Sequence, residues 1–153
     1  MTIAIFPGSF DPITKGHLDI LKQASEVFEK VIIAVAYNPD KNGFLSVEKR
    51  LDLIKESIKD FNNIEVDFFD GLTVEYAKQK GATVLIRGLR NSKDFEYEIE
   101  LAQINRTLNP KIKTVFFTPK AENSFISSSA VREILSNNGD ISALVPSNII
   151  KLL

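Results

Sequence analysis

Five short apolar runs divide the chain: Ile3 to Phe6, Val31 to Ala36, Ile64 to Phe69, Thr83 to Ile86 and Thr114 to Thr118. Most do not alternate apolar with polar residues, which is the pattern of strands covered on both faces and hence of a parallel sheet. Between the runs, apolar residues recur at helical spacing instead: Leu18, Leu21, Ala24 and Phe28; Leu51, Ile54 and Ile58; Val74 and Ala77; Ile99, Ala102 and Leu108. Gly81 and the Asn109-Pro110 pair read as helix stops. Strand and helix alternating in this way predict a doubly wound, Rossmann-like α/β fold, a parallel five-stranded sheet with helices on both faces. At 153 residues, 44% of them hydrophobic, the chain can bury one core, so residues 1–153 are expected to form a single domain.

The formal net charge of −1 gives no global electrostatic case for nucleic acid or an anionic membrane as partner, so any polyanion site has to be local. The chain has no cysteine, which removes a disulfide scaffold, a thiolate nucleophile and cysteine-ligated zinc. No apolar stretch approaches the roughly 20 residues that span a bilayer, and the N-terminus lacks a basic-then-apolar signal pattern. A soluble, cytoplasmic protein is expected.

In doubly wound folds ligands sit beyond the carboxyl ends of the strands. The loops to inspect are therefore Pro7 to Gly16, Tyr37 to Leu45, Asp70 to Thr73, Arg87 to Lys93 and Pro119 to Ser129. The first contains neither G-x-G-x-x-G nor G-x-x-x-x-G-K-[ST], so neither common phosphate loop applies. Instead, Thr14-Lys15-Gly16-His17 stands at an expected helix start, with Thr14 the N-cap and the chain's one histidine in the first turn. There an imidazole lies beside open backbone N–H groups that attract phosphate, and Gly16 allows close approach. A partly buried structural histidine is the other reading. Near the far end, Ser124-Phe125-Ile126-Ser127-Ser128-Ser129 enters a second helix start, where capping alone needs only one serine.

Taken together, PGSFDPITKGH, LIRGLRNSKDFEYE at residues 85 to 98 and SFISSSAVR resemble the phosphopantetheine adenylyltransferases, members of the nucleotidyltransferase superfamily with T/HxGH and ISSS-type motifs. The resemblance runs over essentially the whole chain in matching order and spacing. It implies one nucleotidyltransferase domain over 1–153. The implied reaction transfers the adenylyl group of ATP to 4′-phosphopantetheine, giving dephospho-coenzyme A and pyrophosphate by direct in-line attack without a covalent enzyme intermediate.

By the same resemblance, His17 stabilises the transition state, with Lys41 and Arg90 as further catalytic residues. Its helix-start position favours the neutral ring and nearby phosphates the cation, and both forms carry an N–H donor. Ser9, Lys41, Thr73 and Arg87 match acceptor-substrate positions, Lys41 and Arg87 those that hold its phosphate. Ser9, Phe10, His17, Gly88, Leu89, Arg90 and Glu98 match ATP positions, as does the run Asn123, Ser124, Phe125, Ile126, Ser127, Ser128 and Ser129. Asn123 departs from the pattern, in which a larger, often aromatic residue is expected. Mg2+ is implied as cofactor, held mainly by phosphate oxygens and water because no carboxylate cluster with ligand spacing is seen; no protein metal ligand is assigned. Coenzyme A is implied as a feedback inhibitor, and a homohexamer as the assembly. Asp94, Phe95, Glu96, Tyr97 and Glu100 read as helix start, core and subunit contact rather than chemistry.

Two other readings stand beside this one. A nicotinate mononucleotide adenylyltransferase shares the end motifs but not LIRGLRNSKDFEYE. A non-catalytic nucleotide-binding module would have no use for both Lys41 and Arg87.

Overall fold

In the computed structural model, which describes residues 1–153, five strands form one all-parallel sheet. They are β1 (Ile3–Gly8), β2 (Lys30–Ala36), β3 (Ile64–Phe69), β4 (Val84–Gly88) and β5 (Lys113–Phe117). The helices between and after them are α1 (Lys15–Val27), α2 (Val47–Ser57), α3 (Thr73–Gln79), α4 (Ser92–Leu108) and α5 (Ser128–Ser136), with 3-10 turns at Ala121–Asn123 and Ser147–Leu152. The spatial order is β3-β2-β1-β4-β5. The chain winds outward from β1 to β3, then crosses back to place β4 on the other side of β1. The expected fold class is therefore the observed one, and its switch point lies between β1 and β4.

Successive strand residues feed opposite faces, as the pleat requires. Ala4, Phe6, Val31, Ile33, Val35 and Ile86 pack with Leu21 and Ala24 of α1, Leu53 and Ile54 of α2 and Val131 of α5. Ile5, Ile32, Ala34 and Leu85 pack on the other face with Val74, Tyr76 and Ala77 of α3. In register, Ile5 lies between Ile32 and Leu85. Covering on both faces explains the unbroken apolar runs of β1 and β2. The edge strands differ: β3 is buried only at its ends and β5 nowhere fully.

Helix ends follow the local signals. Thr14, Ser46, Asn91 and Ser127 each accept a first-turn N–H as N-cap. Gly81, at φ +69°, follows α3, and Asn109 caps the C-terminus of α4. The stripe read on α4 does not become core, because Glu98 is that helix's one buried residue, while Phe95, Tyr97, Ile104 and Leu108 are exposed.

Candidate active site

The crevice beyond the carboxyl ends of β1 and β4 is a cavity of about 280 Å³. Its floor is Pro7 and Gly8 of β1 with Arg87 and Gly88 of β4, and its rims are the starts of α1 and α5. Phe10 folds back over this floor with φ +45°, in the left-handed region that non-glycine residues seldom occupy. Its ring stands edge-on to Phe6 and His17, at centroid distances of 5.2 and 4.8 Å. Gly8 permits that turn, since a Cβ there would lie 3.1 Å from the Phe10 ring.

His17 is fixed by a reciprocal cap. Its backbone N–H donates to Thr14 Oγ1 at 3.3 Å, while the Thr14 N–H donates to Nδ1 at 3.1 Å. An Nδ1 that accepts leaves the proton of the neutral ring on Nε2. Nε2 has no protein partner and the ring lines the cavity, so the open donor belongs to whatever enters. Burial first, then the charges of Arg90 and Arg87, lower the imidazole from 6.5 to about 4. In the free protein the ring is neutral at physiological pH.

Both helix starts leave N–H groups for an anion. In α1 the Lys15 N–H is taken by Leu144 O and that of His17 by Thr14, which leaves Gly16. In α5 the Ala130 N–H is taken by the Ser127 hydroxyl, which leaves Ser128 and Ser129. The hydroxyl of Ser128 is itself committed, donating to Pro12 O at 2.9 Å, and that of Ser129 accepts from Arg132 at 3.1 Å. The backbone N–H groups of Ser128 and Ser129 therefore remain at this rim beside the O–H groups of Ser127 and Ser129, which accept but do not donate within the protein.

The two arginines of RGLR are both paired. Arg87 forms a fork with buried Glu98, two bonds of 2.7 Å, and its Nη1 donates to Pro7 O at 3.1 Å. Arg90 binds Asp94 through Nε at 2.9 Å and Nη2 at 3.2 Å, and reaches Ile126 O at 3.1 Å, joining the loop after β4 to the loop after β5. The Arg90 contacts outweigh burial and hold the Asp94 carboxyl below its usual range.

Of the residues singled out from the sequence, the cavity brings together Phe10, His17, Arg87, Gly88, Arg90, Glu98, Ile126, Ser127 and Ser128. Leu89 stands beside it, its N–H bound to Phe117 O. Ser9 is exposed at the loop after β1, and Asn123, Ser124, exposed Phe125 and Ser129 flank the rim. Lys41 and Thr73 are not at the cavity. Lys41 is exposed and lines a neighbouring groove with Tyr37, Leu45 and Arg50, and Thr73 opens α3 beyond β3.

Sequence reasoning read Asp94 as part of a helix start rather than chemistry, yet it lines the cavity through its hold on Arg90; the i,i+4 spacing of the pair was the available signal. It passed over Asp19, whose carboxylate accepts the Lys120 N–H at 2.7 Å, the Asn123 amide at 3.2 Å and the Gln23 amide at 3.0 Å. That carboxylate pins the loop after β5 to α1 and gives Asn123 its packing. No group of three or more His, Cys, Asp or Glu side chains forms a metal cage. The two carboxylates of the cavity already bind arginines, so the donor set fits an ion carried in on a polyphosphate rather than a resident one.

A cytidylyltransferase-like family model matches residues 5–134. The chain is 49% identical over 151 residues to a phosphopantetheine adenylyltransferase of Clostridium novyi, covering 99% of this chain and 94% of that one. It is 52% identical over 146 residues to one of Carboxydothermus hydrogenoformans, covering 95% and 90%. Among solved structures it is similar to a bifunctional NMN adenylyltransferase/ADP ribose pyrophosphatase from Francisella tularensis, with TM-score 0.70 and 16% identity over 97% of this chain and 46% of that one, a likeness of fold.

Proposed function

Since the chain belongs to the phosphopantetheine adenylyltransferases, within the cytidylyltransferase-like family, we propose that its cavity binds ATP and directs the α-phosphorus toward the phosphate of 4′-phosphopantetheine. One acceptor phosphate oxygen bonds to the α-phosphorus as the bond from that phosphorus to the bridging oxygen of the β-phosphate breaks. Dephospho-coenzyme A forms and pyrophosphate leaves with the bond electrons. The attacking group is already an anion, so no general base is required, and the enzyme has to align two repelling polyanions and stabilise the transferring group.

The observation that carries this reading is the locked Nε2–H of His17, set between Arg87, Arg90 and two helix starts with open N–H groups. A neutral donor on a rigid cap is preorganised for an α-phosphate oxygen that gains charge in the transition state. Gly88, Leu89, Arg90 and Glu98 with residues 123–129 are assigned to ATP. Ser9, Phe10 and the Gly16 N–H are assigned to the space between the substrates, and Lys41, Thr73 and Arg87 to the acceptor. Lys41 approaches that acceptor from the neighbouring groove. Mg2+ would add charge neutralisation on the triphosphate.

Three further assignments follow. Coenzyme A is an inhibitor of this site because it combines the pantetheine and adenylyl portions that the substrates bring separately. A homohexamer accounts for a long α4 that exposes Phe95, Tyr97, Ile104 and Leu108. The cytoplasm is the compartment that would supply both substrates, and no helix is long and apolar enough to cross a membrane.

The test is an assay with ATP, Mg2+ and 4′-phosphopantetheine that follows dephospho-coenzyme A and pyrophosphate together, with nicotinate mononucleotide as competing acceptor. Equal turnover of the two acceptors would overturn the assignment. With ATP chiral at the α-phosphorus, inversion supports a single in-line displacement, and retention would require a covalent intermediate.

A further inference from the structure

The loop that carries Lys41 is held by two residues that do not line the 280 Å³ cavity. Asp11, 6% exposed, accepts the N–H groups of Phe44 and Leu45 on its two carboxylate oxygens, at 2.7 and 2.8 Å. Arg50 of α2, also 6% exposed, donates Nε to Leu45 O and Nη1 to Ser9 O, both at 3.1 Å. Gly43 passes so close that a Cβ on it would stand 2.8 Å from Asp11 Oδ2 and 2.9 Å from Arg50 Nη2. Charged acceptors and donors hold backbone groups more tightly than neutral ones, and burial removes the competition from water.

Beyond this foot, the exposed tip is a self-contained turn. The Asp40 N–H donates to Asn38 Oδ1 at 2.9 Å and the Lys41 N–H to Asn38 O at 3.0 Å. A tip that holds its own shape is placed by its foot. On the opposite side of the same short segment, Arg132 Nη1 donates to Asp11 O and Ser128 Oγ to Pro12 O, both at 2.9 Å. Residues 9–12 thus take the Lys41 loop on a side chain and the start of α5 on main-chain carbonyls.

We infer that Asp11 and Arg50 are positioning residues for the acceptor substrate, acting through Lys41. They clasp the foot of its loop and so set where its ammonium meets the acceptor phosphate, while nucleotide binding is left to the α5 side of the same segment. The inference rests on the assignment of Lys41 to that phosphate.

A double-mutant cycle tests it. Dissociation constants for 4′-phosphopantetheine and for ATP are measured separately by calorimetry on the full chain, for Arg50→Lys, Asp11→Asn and Lys41→Ala and for each of the first two combined with Lys41→Ala. Arg50→Lys keeps the charge and the buried stem but loses the fork. Asp11→Asn turns one acceptor into a donor facing an N–H. The expected result is acceptor binding weakened about tenfold in both, with ATP binding within twofold of the parent, which also reports that the variants are folded. In the Lys41→Ala background the same substitutions should have no further effect on the acceptor. Equal weakening of both substrates, loss of folding in both variants, or full additivity with Lys41→Ala overturns the clasp. If Lys41→Ala alone leaves acceptor binding unchanged, the Lys41 assignment itself falls and the relay with it; if it weakens binding and Arg50→Lys does not, the clasp alone falls.

Discussion

The Thr14 N–H donates to His17 Nδ1 at 3.1 Å while Thr14 Oγ1 accepts the His17 N–H at 3.3 Å, so a helix cap dictates the tautomer of the site's imidazole. Burial first, then the charges of Arg90 and Arg87, oppose protonation and lower the group from 6.5 to about 4, and a protonated ring would also lose its Nδ1 acceptor. The chain has one histidine, so its ring resonances are unambiguous. They should stay unshifted in the free protein from pH 8 down to about 5.5, and move to a higher midpoint when ATP is bound. Between 6.5 and about 4 the unfolded chain binds a proton that the folded chain refuses, so this group makes stability fall as pH drops through that window. A free-protein midpoint near 6.5 would contradict the locked tautomer.

His17→Ala should lower kcat by about 10² or more, the usual cost of one transition-state donor, with much less change in ATP affinity. Single-turnover kinetics beside equilibrium ATP binding make the distinction. Collapse of ATP binding with kcat intact would make His17 a ground-state ligand instead.

Arg87 and Arg90 should fail differently when each is replaced by alanine. Arg87→Ala strands the Glu98 carboxylate, whose side chain is 9% exposed, and should cost about 3 kcal/mol of stability. Arg90→Ala breaks the more exposed pair with Asp94 and should cost no more than about 1 kcal/mol. In binding, Arg87→Ala should weaken chiefly 4′-phosphopantetheine and Arg90→Ala chiefly ATP, each by about 10- to 100-fold, the effect of a charged hydrogen bond of roughly 1.5–3 kcal/mol. Lys at position 87 should restore only part, because it lacks the fork that meets Glu98. Denaturant unfolding and calorimetry check both halves; equal weakening of one substrate by both variants would refute the division.

Asp19→Ala should weaken ATP binding several-fold and leave the acceptor unaffected, because it releases the Lys120 N–H and the Asn123 amide together. Burial pushes the Asp19 carboxyl up, but the bonds from Lys120, Asn123 and Gln23 prevail and hold it below the usual carboxylate value. Asn123→Ala should show a smaller effect of the same kind. Separate dissociation constants for the two substrates decide it, and unchanged ATP affinity in Asp19→Ala would show that the loop after β5 holds its shape without α1.

The sheet was legible because β1 and β2 carry a local pattern that burial on both faces imposes. The cavity's motif residues were legible because strand ends and caps are local too. Helix α4 was misleading: Ile99, Ala102 and Leu108 have helical spacing, yet the residue that turns inward is Glu98, drawn by Arg87 eleven positions earlier. Asp11 and Arg50 were invisible because the partners of Asp11 lie 33 and 34 residues away and Arg50 reaches Ser9 O across 41, and nothing in PGSFDP distinguishes a carboxylate that binds backbone from one that faces water. Lys41 was singled out by resemblance, and only the tertiary structure shows that its loop stands off the cavity.

Glu98 and Asp94 also bear on which anions the crevice would favour. Each already binds an arginine through two oxygens, so an incoming anion meets guanidinium groups that are partly neutralised, each with N–H donors to spare, rather than an uncompensated positive field. A single small anion would draw on only part of what the crevice offers. Several linked phosphates could span the spare arginine donors and the Gly16, Ser128 and Ser129 N–H groups at once, so the crevice favours the length of a polyanion over its charge alone.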